Sequence, residues 1–138
     1  MSRPRIQVPV DEFTSPSPVT AAETADCDEL AELMQEHGIR HLPILRDESV
    51  VGMVSARDLK VLTALEPERR ALVTAADIMT PDPVAVRSSD RLDDVALIMS
   101  ERKIGSVVVL DGEDRFYGIF TATDALNALV EIARGALD

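Results

Sequence analysis

The sequence predicts an α+β fold built from two tandem β-α-β-β-α units that pack about a pseudo-twofold axis. An offset of 65 residues pairs Met34 with Met99, and it becomes 66 beyond a one-residue insertion in the turn at 111–115. One motif recurs with this repeat. Residues 52–58 and 118–124 both read glycine, two apolar residues, serine or threonine, two further residues and aspartate. A unit of this size is too small to bury the face of its own sheet, so we expect the two units to pack together.

The first unit opens with a short strand around Val19, after a segment punctuated by prolines. A helix is predicted over residues 21–38, because apolar side chains recur on one face, Asp26 lies in a suitable N-terminal cap region and Gly38 suits a left-handed C-terminal residue. Two apolar runs separated by a polar turn indicate a strand pair, and a helix-like segment follows it. These elements are predicted as strands at 39–45 and 50–54 and a helix at 58–65.

The second unit repeats this order. The equivalent elements are predicted as a strand near Val84, a helix at 92–102, strands at 104–110 and 116–120, and a helix at 123–136. We therefore assign the repeats to residues 11–66 and 76–136, joined by a polar connector at 67–75 in which Pro67 suits the first turn of a helix. Residues 1–10 are expected to form an N-terminal arm or an edge strand, because Pro9 disfavours a central strand.

Composition limits the class of protein. The chain has 138 residues, of which 46% are hydrophobic and 3% aromatic, so its core must be mainly aliphatic. The net charge of −11 is spread over both halves and argues against a nucleic-acid partner. No apolar run approaches the roughly 18 residues of a membrane span, and there is no signal-peptide pattern, so we expect a cytoplasmic protein with no membrane partner. The single Cys27 is expected to be a buried structural thiol, and the excess of arginine over lysine hints at a bacterial source.

The recurring Ser/Thr-x-x-Asp spacing has two interpretations. It is first of all a helix N-terminal capping pattern, in which Asp58 and Asp124 have no further role. Alternatively, the hydroxyl group and the free N–H groups of a helix N-terminus favour an anion, while the aspartate accepts hydrogen bonds from a pair of sugar hydroxyls. With two histidines and one cysteine in the chain, neither a metal site nor a required cofactor is expected.

Three features in combination resemble a tandem pair of cystathionine-β-synthase (CBS) domains, a Bateman module: residues 77–81, residues 34–44, and the two glycine-to-aspartate stretches. The resemblance covers roughly residues 11 to 136. It implies clefts between the two units that in many members bind adenosine-containing ligands such as AMP, ADP, ATP, NAD or S-adenosylmethionine. It also implies a homodimer and a regulatory role. Members are usually attached to enzymes, channels or transporters, and a chain of this length suggests a stand-alone module.

The resemblance also implies roles for individual residues. Asp58 and Asp124 match the ribose-binding aspartate, and Ser55, Arg57, Thr121 and Thr123 match phosphate-side positions. One cleft is expected to combine Thr121, Thr123 and Asp124 with Val19, Thr20, Arg40, His41 and Pro43. The other is expected to combine Ser55, Arg57 and Asp58 with Val84, Ala85, Gly105, Ser106 and Val108. From the number of cationic groups we expect the Asp124 cleft to prefer polyphosphates. Because Val108 stands where the first repeat has Pro43, we also expect the wall of the other cleft to be shaped differently.

Three functions are compatible with these residues. The first is a sensor, for example of cellular energy state, that binds an adenosine derivative and reports its occupancy to a protein target. The second is a structural homodimerisation or protein-interaction module without a nucleotide ligand, in which Arg40 and His41 are only the solvated start of a strand. The third is an enzyme using Ser55, Asp58 and His41, which we do not expect because the second repeat has Ser106 where the first has His41.

Overall fold

The computed structural model describes residues 7–16 and 19–135, which divide into two compact units. The first-repeat unit comprises residues 19–83, and the second-repeat unit comprises residues 7–16 together with 84–135. Each unit has a four-stranded sheet and flanking helices, which confirms the predicted α+β class. In chain order the elements are a 3-10 helix at Val10–Phe13, β1 (Ser15–Pro16), β2 (Ala21–Ala22), α1 (Cys27–His37), β3 (His41–Arg46), β4 (Ser49–Ser55), α2 (Ala56–Leu62), α3 (Pro67–Arg70), α4 (Ala75–Ile78), β5 (Thr80–Pro81), β6 (Ala85–Arg87), α5 (Leu92–Arg102), β7 (Ser106–Leu110), β8 (Phe116–Thr121) and α6 (Ala122–Ala133).

The two sheets have the same topology. Their strand orders are β2-β3-β4-β5 and β6-β7-β8-β1, with the first pair parallel and the other two pairs antiparallel. In each sheet one edge strand comes from the stretch assigned to the other repeat: β1 pairs with β8 through Pro16 and Gly118, and β5 pairs with β4 through Pro81 and Gly52. Proline suits both positions because an edge strand does not need every N–H for the ladder. The second-repeat unit therefore combines two separate stretches of sequence, whereas the first-repeat unit is continuous from residue 19 to residue 83.

Each unit has its own aliphatic core. The first-repeat core includes Leu30, Met34, Leu42, Ile44, Val54 and Ala75. The second-repeat core includes Val8, Val10, Val86, Val95, Met99, Val107, Val109 and Phe120. The methionines Met34 and Met99 occupy equivalent core positions, as the repeat predicts. Residues 1–6 of the predicted arm lie outside the described residues, whereas Val8 and Val10 are buried in the second-repeat core.

The start of α1 differs from the prediction. Residues 21 and 22, predicted as helical, instead form β2, whose backbone runs parallel to β3 in register with Ile44 and Leu45. The strand predicted around Val19 therefore lies two residues later, and the helix begins only after Asp26, whose carboxylate accepts from the Glu29 N–H at 2.9 Å. Gly38 ends the helix in the left-handed conformation, at φ 62°, as predicted.

The other helices lie closer to their predicted bounds. The prediction for α5 matches, and α2 and α6 begin one or two residues earlier than predicted because Ser55 and Thr121 cap them. α6 ends at Ala133, short of the predicted residue 136, which lies outside the described residues. In the connector, α3 begins with Pro67 in its first turn, as expected, and the connector leads into a further short helix, α4, that was not predicted.

Candidate ligand-binding site

The first Ser/Thr-x-x-Asp motif forms a complete capping box at the start of α2. The Ser55 backbone N–H donates to Asp58 Oδ2 at 2.8 Å, and the Asp58 N–H donates to Ser55 Oγ at 3.2 Å. Both side chains are half-buried at the junction of β4 and α2. The capping interpretation of this motif is therefore correct as far as local structure is concerned.

The second motif repeats this geometry at the start of α6. The Thr121 N–H donates to Asp124 Oδ2 at 2.8 Å, the Thr121 hydroxyl contacts the same oxygen at 3.0 Å, and the Asp124 N–H donates to Thr121 Oγ1 at 3.3 Å. Every one of these contacts of the carboxylate uses Oδ2. Within residues 7–16 and 19–135, no hydrogen bond to Oδ1 of either Asp58 or Asp124 is formed. Each aspartate is thus fixed through its Oδ2, and its Oδ1 can still accept a hydrogen bond.

A third copy of this arrangement occurs in the connector. The Thr74 N–H and hydroxyl group contact Asp77 Oδ2 at 2.9 and 3.1 Å, at the start of α4. This copy was not predicted, although its spacing, Thr-x-x-Asp, is visible in the sequence. Unlike the other two copies, it is not preceded by a glycine and an apolar strand. Capping geometry alone therefore does not distinguish a ligand site, and Asp77 offers a matched control for the other two aspartates.

The glycines of the repeated motif have a packing role. A Cβ at Gly118 would overlap the backbone carbonyl oxygen of Ser15 in β1, and a Cβ at Gly52 would overlap the side chain of Met79 beside β5. The pattern glycine-to-aspartate thus combines two unrelated requirements. The glycine leaves room for what lies beside it at the sheet edge, β1 or the Met79 side chain next to β5. The last four residues, from serine or threonine to aspartate, cap a helix.

Within each unit, the start of the strand that precedes the motif-bearing strand, β3 or β7, lies beside the motif. In the first-repeat unit His41 is in register with Ser55, and the Ala56 N–H donates to the Arg40 carbonyl at 2.8 Å. In the second-repeat unit Ser106 is in register with Thr121, and the Ala122 N–H donates to the Gly105 carbonyl at 3.0 Å. The predicted combination of residues from both repeats in one cleft stays a prediction.

Electrostatics distinguish the two neighbourhoods. Burial lowers the pKa of His41 below its ordinary value of 6.5; the negative charge of Asp58 opposes this shift, and the positive charge of Arg40 adds to it. His41 therefore favours its neutral form near pH 7 and is a weaker cation than the sequence analysis assumed. Arg40 and Arg57 are exposed, and neither forms an ion pair within the described ranges.

The strand wall also differs between the repeats. In the second-repeat unit the Val108 N–H donates to the Val84 carbonyl at 2.9 Å, and β6 pairs with β7 over three residues. The equivalent of Val108 is Pro43, which has no N–H, and β2 pairs with β3 over only two residues. The different wall expected from this substitution is thus a difference in backbone hydrogen bonding.

The predicted site residues differ in their exposure. Pro43 and Val108 are buried. Half-buried are Val19, Thr20, His41, Ser55, Asp58, Val84, Ser106, Thr121 and Asp124, and exposed are Arg40, Arg57, Ala85, Gly105 and Thr123. The described part of the chain contains no cluster of three or more histidine, cysteine or acidic residues suited to a metal ion. Nor does any helix in it have the length and apolar character that crossing a bilayer requires.

Solved structures with this fold include adenosine-ligand complexes. CBSX2 in complex with AMP is 29% identical in sequence, with a TM-score of 0.76 over 91% of this chain and 98% of that one. The CBS domain pair of protein MJ0100, in complex with 5′-methylthioadenosine and S-adenosyl-L-methionine, is 28% identical, with a TM-score of 0.79 over 90% of this chain and 97% of that one.

Sequence relatives include larger proteins. The L-aspartate semialdehyde sulfurtransferase of Methanocaldococcus jannaschii is 31% identical over 116 residues, which are 83% of this chain and 22% of that enzyme. The chain spans at most 61% of seven further curated relatives. The family model described as "CBS domain" matches twice, at residues 10–62 and 75–131. The chain therefore belongs to the CBS domain family and carries a tandem pair of these domains.

Proposed function

We propose that this CBS pair is a regulatory module that binds an adenosine-containing ligand through its two Ser/Thr-x-x-Asp motifs. The observation that carries the proposal is the position of Asp58 and Asp124: both are half-buried where a strand runs directly into a helix, whereas Asp77, which has a similar capping arrangement, is exposed and its helix follows no strand. Each carboxylate is fixed by its Oδ2 in a capping arrangement, and its Oδ1 is left without a partner among the described residues. A preorganised acceptor of this kind suits the hydroxyl groups of a ribose, because little conformational entropy is lost when the ligand binds.

Phosphate groups would bind on the same side of the motif. The hydroxyl groups of Ser55, Thr121 and Thr123 and the exposed guanidinium groups of Arg57 and Arg40 offer donors of the kind that phosphates require. α6 adds the N–H groups and dipole of a helix of 12 residues. Local donors of this kind have to hold an anionic ligand against the background field of a chain whose net charge is −11.

The expected adenine contacts are backbone groups of Val19, Thr20, Val84 and Ala85, beside Pro43 and Val108. Val19 and Thr20 lie just before β2, and Val84 and Ala85 lie at the start of β6. The two proposed sets are completed by His41, Gly105 and Ser106. The AMP complex of CBSX2 and the methylthioadenosine and S-adenosylmethionine complex of MJ0100 support an adenosine derivative as the ligand class.

The first test is a thermal-shift screen with AMP, ADP, ATP, NAD and S-adenosylmethionine. A ligand at about 100 times its dissociation constant should stabilise the fold by about 2.7 kcal/mol. Asp58→Ala and Asp124→Ala should each lose the shift at one site. Asp77→Ala removes a carboxylate in a similar capping arrangement and should keep the full shift. All three variants should lose stability by a similar amount, about 1 kcal/mol, because each loses capping interactions.

The outcome separates binding from capping. If Asp77→Ala reduces the ligand shift as much as Asp58→Ala and Asp124→Ala do, the aspartates act only through stability and the proposal is wrong. If none of the five ligands shifts the unfolding temperature of the wild-type chain, nucleotide sensing is excluded for this ligand set.

The number of cationic groups no longer supports the proposed preference of the Asp124 set for polyphosphates, because each set now has one cation. His41 favours its neutral form, so the set contributes Arg40 as its cation, whereas the Asp58 set contributes Arg57. We expect Arg40→Ala to weaken ATP binding more than AMP binding. Equal losses of ATP affinity in Asp58→Ala and Asp124→Ala would contradict the preference.

A protein-interaction module is the second candidate, favoured by an apolar face on α6. Leu126, Leu129 and Val130 are 61%, 61% and 45% exposed, at spacings that put them on one side of the helix. The proposed homodimer would cover this face. Sedimentation of the wild-type chain and of Leu126→Glu tests this: a dimer that binds none of the five ligands and dissociates in the variant favours the interaction module.

A further inference from the structure

The two repeats differ at one backbone hydrogen bond next to the expected adenine contacts. In the second-repeat unit, the Val84 carbonyl accepts from the Val108 N–H at 2.9 Å, and Ala85 is in register with Val108. In the first-repeat unit, the offset of 65 residues places Val19 and Pro43 in the equivalent positions. Proline has no N–H, so the equivalent bond is impossible.

The register of the parallel strands shows the consequence. Ala21 and Ala22 pair with Ile44 and Leu45, as Val86 and Arg87 pair with Val109 and Leu110. The pair formed by Ala85 and Val108 has no counterpart at Thr20 and Pro43, so the first-repeat ladder starts one residue later.

The Val19 carbonyl oxygen therefore has no hydrogen-bond donor among the described residues. Val19 itself is half-buried. A carbonyl of a half-buried residue that lacks a donor favours a ligand that brings its own, since an acceptor covered by a ligand and left unpaired is costly.

We propose that Pro43 makes the first repeat selective for a purine with an exocyclic amino group, because it leaves the Val19 carbonyl free to accept a hydrogen bond from that group. In the second repeat the Val108 N–H already uses one of the two lone pairs of the equivalent carbonyl, so that position should select for the amino group much more weakly. This inference rests on the proposed function and adds a specificity to one of its two sites. Adenine carries an amino donor at C6, whereas hypoxanthine carries a carbonyl oxygen there, which would face the Val19 carbonyl acceptor to acceptor.

The test compares AMP with IMP by calorimetric titration, since the two differ only at C6 and the adjoining N1. In the wild-type chain we expect one site to bind AMP about tenfold more tightly than IMP, the value of one neutral hydrogen bond, and the other site to bind both within about twofold. Pro43→Val should bring the ratio at the selective site close to one. Val108→Pro should create a comparable preference at the other site.

Hydrogen exchange provides a readout that needs no ligand. In Pro43→Val the amide introduced at position 43 should be protected from exchange to a degree similar to the amide of Val108 in the wild-type chain, because it can donate to the Val19 carbonyl. An unprotected amide at this position would overturn the structural premise. If Val108→Pro fails to fold, Pro43→Val alone decides the question.

The outcomes separate this inference from the proposed function. If AMP binds and Pro43→Val keeps the full preference for AMP over IMP, the inference is wrong and the proposed function stands. Equal binding of AMP and IMP at both wild-type sites would likewise show that the inference is wrong and leave the proposed function standing. If neither nucleotide binds while the amide at position 43 is protected, the inference fails and only the backbone difference remains, while the proposed function is decided by the other ligands of the thermal-shift screen.

Discussion

Alanine substitutions at the two equivalent glycines should have unequal effects on stability. At Gly118 the new methyl group would overlap the Ser15 carbonyl oxygen and would lie 3.0 Å from the Ser15 carbonyl carbon and from Thr14 Cγ2. Since the obstacle is backbone, β1 has to move. At Gly52 the new methyl group would meet the side chain of Met79, whose Sδ and Cγ can move away in another rotamer; only its Cβ, at 2.9 Å, requires a small backbone adjustment.

The magnitudes follow from what each movement disrupts. Displacing β1 breaks its two register pairs with β8 and disturbs Thr14, a buried residue whose hydroxyl group donates to the Val10 carbonyl at 2.8 Å. Overpacking costs about 1–3 kcal/mol, and each lost hydrogen bond costs about 1 kcal/mol more. We expect Gly118→Ala to lower the free energy of unfolding by about 3 kcal/mol or more. Gly52→Ala should lower it by about 1 kcal/mol, after a gain of about 0.4–1 kcal/mol from the stiffer unfolded chain.

Equilibrium unfolding in urea measures both values, and amide exchange at Ile119 reports whether β1 stays paired. Gly52→Ala combined with Met79→Ala is a control: removing the obstacle should make the two effects less than additive. Equal losses at Gly52 and Gly118, or normal protection of the Ile119 amide in Gly118→Ala, would refute the argument from backbone overlap.

Three further predictions concern single side chains. Because the pKa of His41 is lowered in the fold, the free energy of unfolding should fall as the pH drops from about 6.5, the ordinary pKa of histidine, through the folded pKa. His41→Gln should reduce this pH dependence of stability. His37→Gln, at an exposed position, should leave it unchanged. Burial raises the pKa of the Cys27 thiol, so a thiol reagent at pH 8 should react at the rate of unfolding, and reaction within seconds in the native state would contradict this. Lys103 and Gly38 occupy equivalent helix ends at φ 56° and 62°, so in thermal melts Lys103→Gly should stabilise the protein by about 1 kcal/mol and Gly38→Lys should destabilise it by a similar amount.

Local patterns in the sequence were sufficient for much of the fold. The 65-residue repeat predicted two similar units, and the Ser/Thr-x-x-Asp spacing predicted the caps at Ser55 and Thr121, because a capping box depends on residues only three apart. Gly38 marked a helix end for the same reason. The family resemblance of these motifs, confirmed by the matches to the CBS domain, identified the fold class and the ligand class to test.

Only the tertiary structure decided how the short edge strands pair. Residues 15–16 and 80–81 carry no local signal for a partner, since a two-residue strand is defined by the strand it meets. For the same reason Ala21 and Ala22, good helix formers, were predicted as helix although their backbone pairs with β3.

The difference between the two candidate sites also needed the structure. The sequence showed Pro43 against Val108, but the missing bond to Val19 became visible only once the register of β2 on β3 was known. The motif glycines likewise look like part of a ligand loop until Ser15 and Met79 are placed beside them. Contacts between residues far apart in the chain decide these features, and a local pattern determines only contacts within a few residues of itself.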